Sequence, residues 1–230
     1  MLTAVTTRRR PRSRPSTWKT RAPVQDRSRA TLERFAAAAE TLLRDRPFEH
    51  ISVHEIAACA DRPIGSFYAR FASKDALLPF LYERYDRTLE GHLSARLVAV
   101  DWAKLDFAAA IGALVGVLVG IYEERRWLLR ALALFARQSP EALSDALVAR
   151  RQRLYDGVTR ILLAYERDIR HPEPAEAIRF GVFFVSAVAR DRLLFSEAPH
   201  ARATALPVER LRAELTQALH AYLAMSRPSP

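Results

Sequence analysis

The apolar positions of this 230-residue chain recur at helical spacing from Asp26 almost to the end, and no segment alternates as a half-buried strand would. Leu32, Phe35, Ala36, Ala39, Leu42 and Leu43 make one stripe on a helix predicted from about Arg27 to Arg44, which Pro47 stops. Ser52, Val53, His54 and Glu55 spell a capping box, in which the Ser52 hydroxyl accepts from the Glu55 amide and Glu55 reaches back. A short second helix starts there, with Val53, Ile56, Ala57 and Ala60 facing inward. Asp61 to Pro63 breaks the pattern, and Pro63 suits the first position of a third helix ending near Phe71. Two short helices joined by so short a turn, packed on a longer first one, describe a helix-turn-helix.

The third helix carries the most informative mixture. Phe67 and Phe71, four apart, turn toward the first two helices, which leaves Ile64, Gly65, Ser66, Tyr68, Ala69 and Arg70 for the outer surface and its flanks. Gly65 permits close backbone approach, Ser66 and Tyr68 offer hydroxyls, and Arg70 offers a charged fork to phosphate. Ser73 is read as the cap of a fourth helix running to about Arg96, with Lys74 in its first turn as a further phosphate partner. Pro79 inside that helix predicts a kink, and hence a candidate hinge.

From about Arg27 to Leu78 these residues resemble the TetR/AcrR family of bacterial transcriptional regulators, through "ISVHEIAACA" and then "IGSFYARFASKDALL". The resemblance implies an all-α fold: an N-terminal three-helix helix-turn-helix DNA-binding domain, then a helical domain that binds small molecules and dimerises through its last two long helices. It places Ile64, Gly65 and Ser66 where family members approach bases, and Tyr68, Arg70 and Lys74 where they grip phosphates. Ser52 and His54 fall where the second helix meets the backbone or a base. The turn departs from the family's Gly, apolar, Ser/Thr pattern: Asp61, Arg62 and Pro63 stand there, and Pro63 joins the candidate interface. Ile64 cannot donate to a base but can touch a thymine methyl.

The rest of the chain reads as about five more helices after the linking one, divided at "VAVDWAK", after Arg137, at "RHPEP" and at "SEAPHARATALP". Phe107 to Tyr122 is a run of sixteen apolar residues, short of the roughly 20 that cross a bilayer, and is read as a buried helix. Gly112, Gly116 and Gly120 recur along it, consistent either with close approach of a neighbouring helix or with room for a ligand. Trp102, Phe107, Gly116, Tyr122, Trp127 and Phe135, with Tyr155 on the next helix, are candidates both for core and for pocket wall. Ile178, Val182, Val185 and Ala189, and then Leu211, Leu215, Leu219 and Tyr222, give the last two long helices apolar stripes suited to a homodimer.

Charge changes the picture at one end. The chain carries a net +10, and residues 1–25 hold seven Arg/Lys and no acid. That segment is read as a disordered basic arm that either contacts DNA phosphates or minor groove, or is a solubilising tail or over-long start. The division expected is arm 1–25, DNA-binding domain 26–78, regulatory domain 79–225 and tail 226–230. Cys59 is the single cysteine, which rules out an intramolecular disulfide and favours a reducing, cytoplasmic setting; on its small-residue helix it is read as packing. His50, His54, His92, His171, His200 and His220 show no ligand spacing, and no catalytic motif is present, so no enzyme, metal or cofactor is expected. The partners expected are a double-stranded DNA operator, a second copy of the chain and a small-molecule effector, with no membrane. A helical protein–protein adaptor without DNA binding is the alternative.

Overall fold

The computed structural model describes residues 26–225, so the expectations for residues 1–25 and 226–230 lie outside the described residues. Among the described residues there are α-helices and short 3-10 turns and no strand. The helices are α1 (Asp26–Leu43), α2 (Val53–Cys59), α3 (Ile64–Tyr68), α4 (Leu77–Val98), α5 (Phe107–Glu124), α6 (Arg126–Gln138), α7 (Asp145–Leu163), α8 (Pro174–Leu194), α9 (Pro199–Ala203) and α10 (Val208–Ala224). The five helices expected after the linker correspond to α5, α6, α7, α8 and α10, and α9 adds a single turn. The break between α5 and α6 falls at Arg125 with neither Gly nor Pro to announce it.

Sequence dictates the first three helices closely. The α1 stripe is buried at Leu32, Phe35, Ala36, Ala39 and Leu43. Phe67 and Phe71 are sealed beneath α3 and meet Phe35 at ring-centroid distances of 5.3 and 6.4 Å, both edge-on. Each buried Phe contributes about 1.5–3 kcal/mol from removal of its surface from water. The α2 helix ends with Asp61 at φ 52°, its amide donating to the Ala58 carbonyl and the Arg62 amide to Ala57. This paired closure needs a left-handed residue, usually Gly, and Asp61 supplies it at some backbone cost.

Two expected boundaries shift. The third helix ends at Tyr68 rather than Phe71, and α4 begins at Leu77 rather than Ser73. The Ser73 hydroxyl accepts from the Ala76 amide at 3.3 Å, but this holds a turn that precedes the helix. Pro79 is consequently the third residue of α4. The first four amides of a helix have no intrahelical acceptor, so proline there removes no bond and the physical basis for a kink disappears.

Two apolar cores stack along the molecule. One joins α1, α2, α3, the first half of α4, α6, Leu194 and Phe195; it runs straight across residue 78, from Leu77 to Leu81 and Tyr85. The other joins the end of α4 with α5, α7, α8 and α10. Helix α5 is long and apolar enough by composition to span a membrane, yet its Ile111, Leu114, Val115 and Val119 are buried in the second core. The stripes expected to form a dimer face are spent here as well. Ile178, Val182, Val185, Ala189, Leu211, Leu215 and Leu219 are all buried within the chain, because α8 and α10 must first cover α5.

Candidate functional site

The helix-turn-helix presents one face outward from α2 and α3. The capping box is complete: the Ser52 amide donates to Glu55 Oε2 at 2.8 Å and the Glu55 amide donates to Ser52 Oγ at 3.2 Å. The Ser52 backbone and side-chain hydrogen bonds, with Arg46 also contributing, hold the Glu55 carboxyl below its ordinary value. Ser52 and His54 are exposed at the start of α2, and Pro63 is the exposed cap preceding α3. Ile64 and Tyr68 are 44% and 54% exposed although both are large and apolar or aromatic, so α3 holds contact area in reserve. A Cβ added at Gly65 would meet nothing within 4 Å, which leaves the backbone there open to a close partner.

The cations near this face are largely committed. Arg70 Nη1 donates to the Ser66 carbonyl at 2.9 Å and to its hydroxyl at 3.2 Å, folding the guanidinium back on α3. Lys74 Nζ donates to the carbonyls of Phe48, Glu49 and Ile51 at 2.9, 3.2 and 3.0 Å and sits 4.8 Å from the Phe48 ring. All three ammonium hydrogens are thus used, and Lys74, expected at a phosphate, ties the α3–α4 turn to the segment before α2. Arg62 donates to the Asp61 carbonyl at 2.7 Å. Cys59, read as packing, is exposed on α2, though its Sγ reaches the Ala38 carbonyl of α1 at 3.9 Å; Ile56 and Ala57 are the buried residues of α2.

A second feature lies between α4, α5, α6, α7 and α8: a cavity of about 530 Å³. Of the sequence candidates, Tyr122 and Tyr155 line it and the other five do not. Trp102 donates its indole N–H to the Leu97 carbonyl at 2.7 Å, and Phe107 packs on Tyr165 and His220 at the far end of α5. Trp127 lies beneath the Arg44 guanidinium at 5.3 Å, and Phe135 is buried in the first core. Gly116 has open space at its missing Cβ and faces neither a helix nor the cavity. These residues share the spacing of wall residues, but the packing of α5, α6 and the turn before α5 directs them elsewhere.

Sequence reasoning passed over the cavity's polar wall: Tyr82, Tyr85, Arg137, Arg151, Ser186 and Arg190. The usable signal was a charged residue in register with an apolar stripe. Asp86 lies in step with Tyr82, Leu89 and Leu93 on α4, and Arg151 in step with Leu147, Leu154 and Val158 on α7. Asp86 is fully buried and takes Arg150 Nε at 2.6 Å and Arg151 Nε at 2.9 Å, which clamps α4 to α7. Burial pushes the phenols of Tyr85, Tyr122 and Tyr155 above their ordinary value of 10, which extends the range over which they remain protonated donors to higher pH. Among the described residues no group of three or more His, Cys, Asp or Glu is placed to hold a metal ion.

Residues 36–79 match the model of the bacterial regulatory proteins of the tetR family. Over 60 residues the chain is 40% identical to YwcC of Bacillus subtilis (strain 168), an uncharacterized HTH-type transcriptional regulator; the match covers 26% of this chain and 27% of that relative's length. The fold is similar over most of its length to the crystal structure of a transcriptional regulator from Rhodococcus sp. Rha1. The TM-score is 0.58 at 27% identity, covering 86% of this chain and 99% of that one. It is also similar to a bacterial regulatory protein in the tetR family from Rhodococcus RHA1, with TM-score 0.60, 18% identity and coverage of 85% and 98%.

Proposed function

From the premise that this chain is a DNA-binding transcriptional regulator of the tetR family, we propose that it acts in the cytoplasm as a homodimeric repressor, released from a palindromic operator by a small molecule held in the 530 Å³ cavity. The observation that carries the DNA-reading part is the outward face of α3, where Ile64, Gly65 and Tyr68 stay exposed while Phe67 is sealed beneath them. Ile64 is the candidate for a thymine methyl, and Gly65 and Ser66 for close approach to base edges. Tyr68, with Ser52, His54 and Pro63 beside it, is the candidate for backbone contact, and Arg70 joins them if it leaves Ser66.

Dimerisation is assigned to α8 and α10, through a face different from their buried stripes. Phe180, Phe183 and Phe184 are 55%, 53% and 36% exposed on α8, and Phe180 meets Tyr222 of α10 at 5.4 Å. An aromatic patch of that kind on one side of a helix pair suits a partner surface. Two subunits are needed for one short helix per subunit to read a two-fold site.

The coupling follows from which helices touch both ends. Tyr82, Tyr85, Leu89 and Leu93 of α4 line the cavity, and Arg84 of the same helix pairs with Glu33 and Glu40 of α1. Leu129, Leu132 and Ala136 of α6 line it too, and Trp127 at the start of α6 carries Arg44, just past the end of α1. A ligand bound better by one arrangement of α4 and α6 therefore biases the position of α1 and, with it, α3. Selection of bound duplexes from a random pool tests the reading. Half-sites about one helical turn apart, roughly 34–36 Å, or somewhat more, are expected, and a single asymmetric site counts against the dimer.

A further inference from the structure

The charge inside the cavity is out of balance. Arg137, Arg151 and Arg190 line it, and no Asp, Glu, Lys or His does. Arg151 is held from behind by Asp86, which spends one edge of its guanidinium. Arg137 lies 5.1 Å from the Phe195 ring. Arg190 is different: it has no ion pair or hydrogen bond to any described residue, and its Nε is sealed from solvent without an acceptor. Three hydroxyls share the cavity wall with it, those of Tyr122, Tyr155 and Ser186, the last one turn before Arg190 on α8. The rest of the wall is aliphatic, with Leu89, Leu93, Leu118, Leu154 and Val158 prominent.

A cation held in a half-enclosed apolar space with its donors idle is an unfavourable arrangement that an entering anion relieves. A planar carboxylate matches the guanidinium fork with two parallel hydrogen bonds, and neighbouring hydroxyl donors add to them. A neutral acceptor would replace the lost water on Arg190 with weaker, uncharged hydrogen bonds; a cationic ligand would be repelled. Arg190 offers one unpartnered fork, which a single carboxylate fills, while Arg137 lies against the Phe195 ring and Arg151 is paired with Asp86.

Resting on the reading of this cavity as the effector site, we propose that the effector is an apolar monocarboxylate, its carboxylate on Arg190 with the Tyr122, Tyr155 and Ser186 hydroxyls and its hydrocarbon body against the leucines of α4 and α5. The cavity volume suits a small molecule, within the roughly 300–1,000 Å³ typical of such sites.

Calorimetry on the full chain tests this with two matched pairs, decanoate against decan-1-ol and 4-phenylbutyrate against 4-phenylbutan-1-ol, together with decyl phosphate. In at least one pair the acid should bind tenfold or more tightly than the alcohol. Arg190→Met, which keeps an apolar stem, should abolish that preference while leaving the alcohol's affinity within about threefold; Arg190→Gln serves if the Met variant does not fold. Equal binding of acid and alcohol, or a preference that survives loss of Arg190, overturns the anion assignment while the cavity remains an effector site. Tighter binding of decyl phosphate than of decanoate overturns the carboxylate in favour of a phosphate. If no member of either pair binds, the effector-site reading itself fails.

Discussion

Lys74 shows how a residue's spacing can be right and its duty different. Its position in the turn after α3 suggests a phosphate partner, but tertiary contact places its ammonium under three backbone carbonyls. Lys74→Met should therefore lower unfolding free energy by about 2–3 kcal/mol, as its charged hydrogen bonds to backbone carbonyls are lost. The salt dependence of DNA binding should stay the same; a slope reduced by about one, with stability intact, restores the phosphate role. Asp86 is the stronger case. Removing it by Asp86→Ala leaves Arg150 and Arg151 facing an apolar gap, and chemical denaturation should show a loss of about 3–5 kcal/mol. The tyrosines make a pH prediction with a definite sign. Tyr85, Tyr122 and Tyr155 have folded-state values raised above 10, chiefly by burial, so above pH 10 the unfolded chain loses phenolic protons that the folded chain keeps. Their contribution is complete below pH 10 and declines above it. Denaturant midpoints measured from pH 9 to 11.5 should fall across that range, and Tyr85→Phe should lessen the fall.

Among the elements, what was legible came from signals carried within a few residues of chain. The S-x-x-E box at Ser52 located the start of α2, and Phe67 and Phe71 told the inside of α3 from its outside, because both depend on local geometry alone. The start of α4 was misread for the same reason: Ser73 does accept from Ala76, as a cap would, but the backbone completes a turn before the helix begins at Leu77. Pro79→Ala follows as a prediction. Placed in the first turn, it should change stability by less than about 1 kcal/mol and leave operator release by the effector unchanged, as read by DNA titration with and without ligand. The cavity wall was only partly legible, since Tyr122 and Trp127 have equal claims by spacing, and only the packing of α5 and α6 sends one to the cavity and the other to Arg44. Arg151 and Arg190 stand as charges among apolar helix positions, a weaker signal than aromatic spacing because a lone arginine on a helix is usually solvated.

At the scale of the whole molecule, inner stripes of the long helices hold the chain together, and the outer aromatics of α8 stay exposed, the face proposed for a second copy. The pairing Phe180→Glu with Phe184→Glu separates these duties, because neither residue belongs to either core. Helical circular dichroism and thermal unfolding of the folded subunit should survive, while sedimentation should report a monomer. Its effect on DNA binding is then calculable. If an intact dimer neutralises about 6–10 phosphates, log affinity against log salt should fall with a slope of about −5 to −9, and a monomer on one half-site should show about half of that. The same assay on a chain lacking residues 1–25 measures how much of the slope belongs to their seven basic residues. A steep slope in the monomeric variant would place the DNA contacts within one subunit, and the two-fold operator would have to be abandoned, whereas halving the slope ties the aromatic face of α8 directly to the reading of both half-sites.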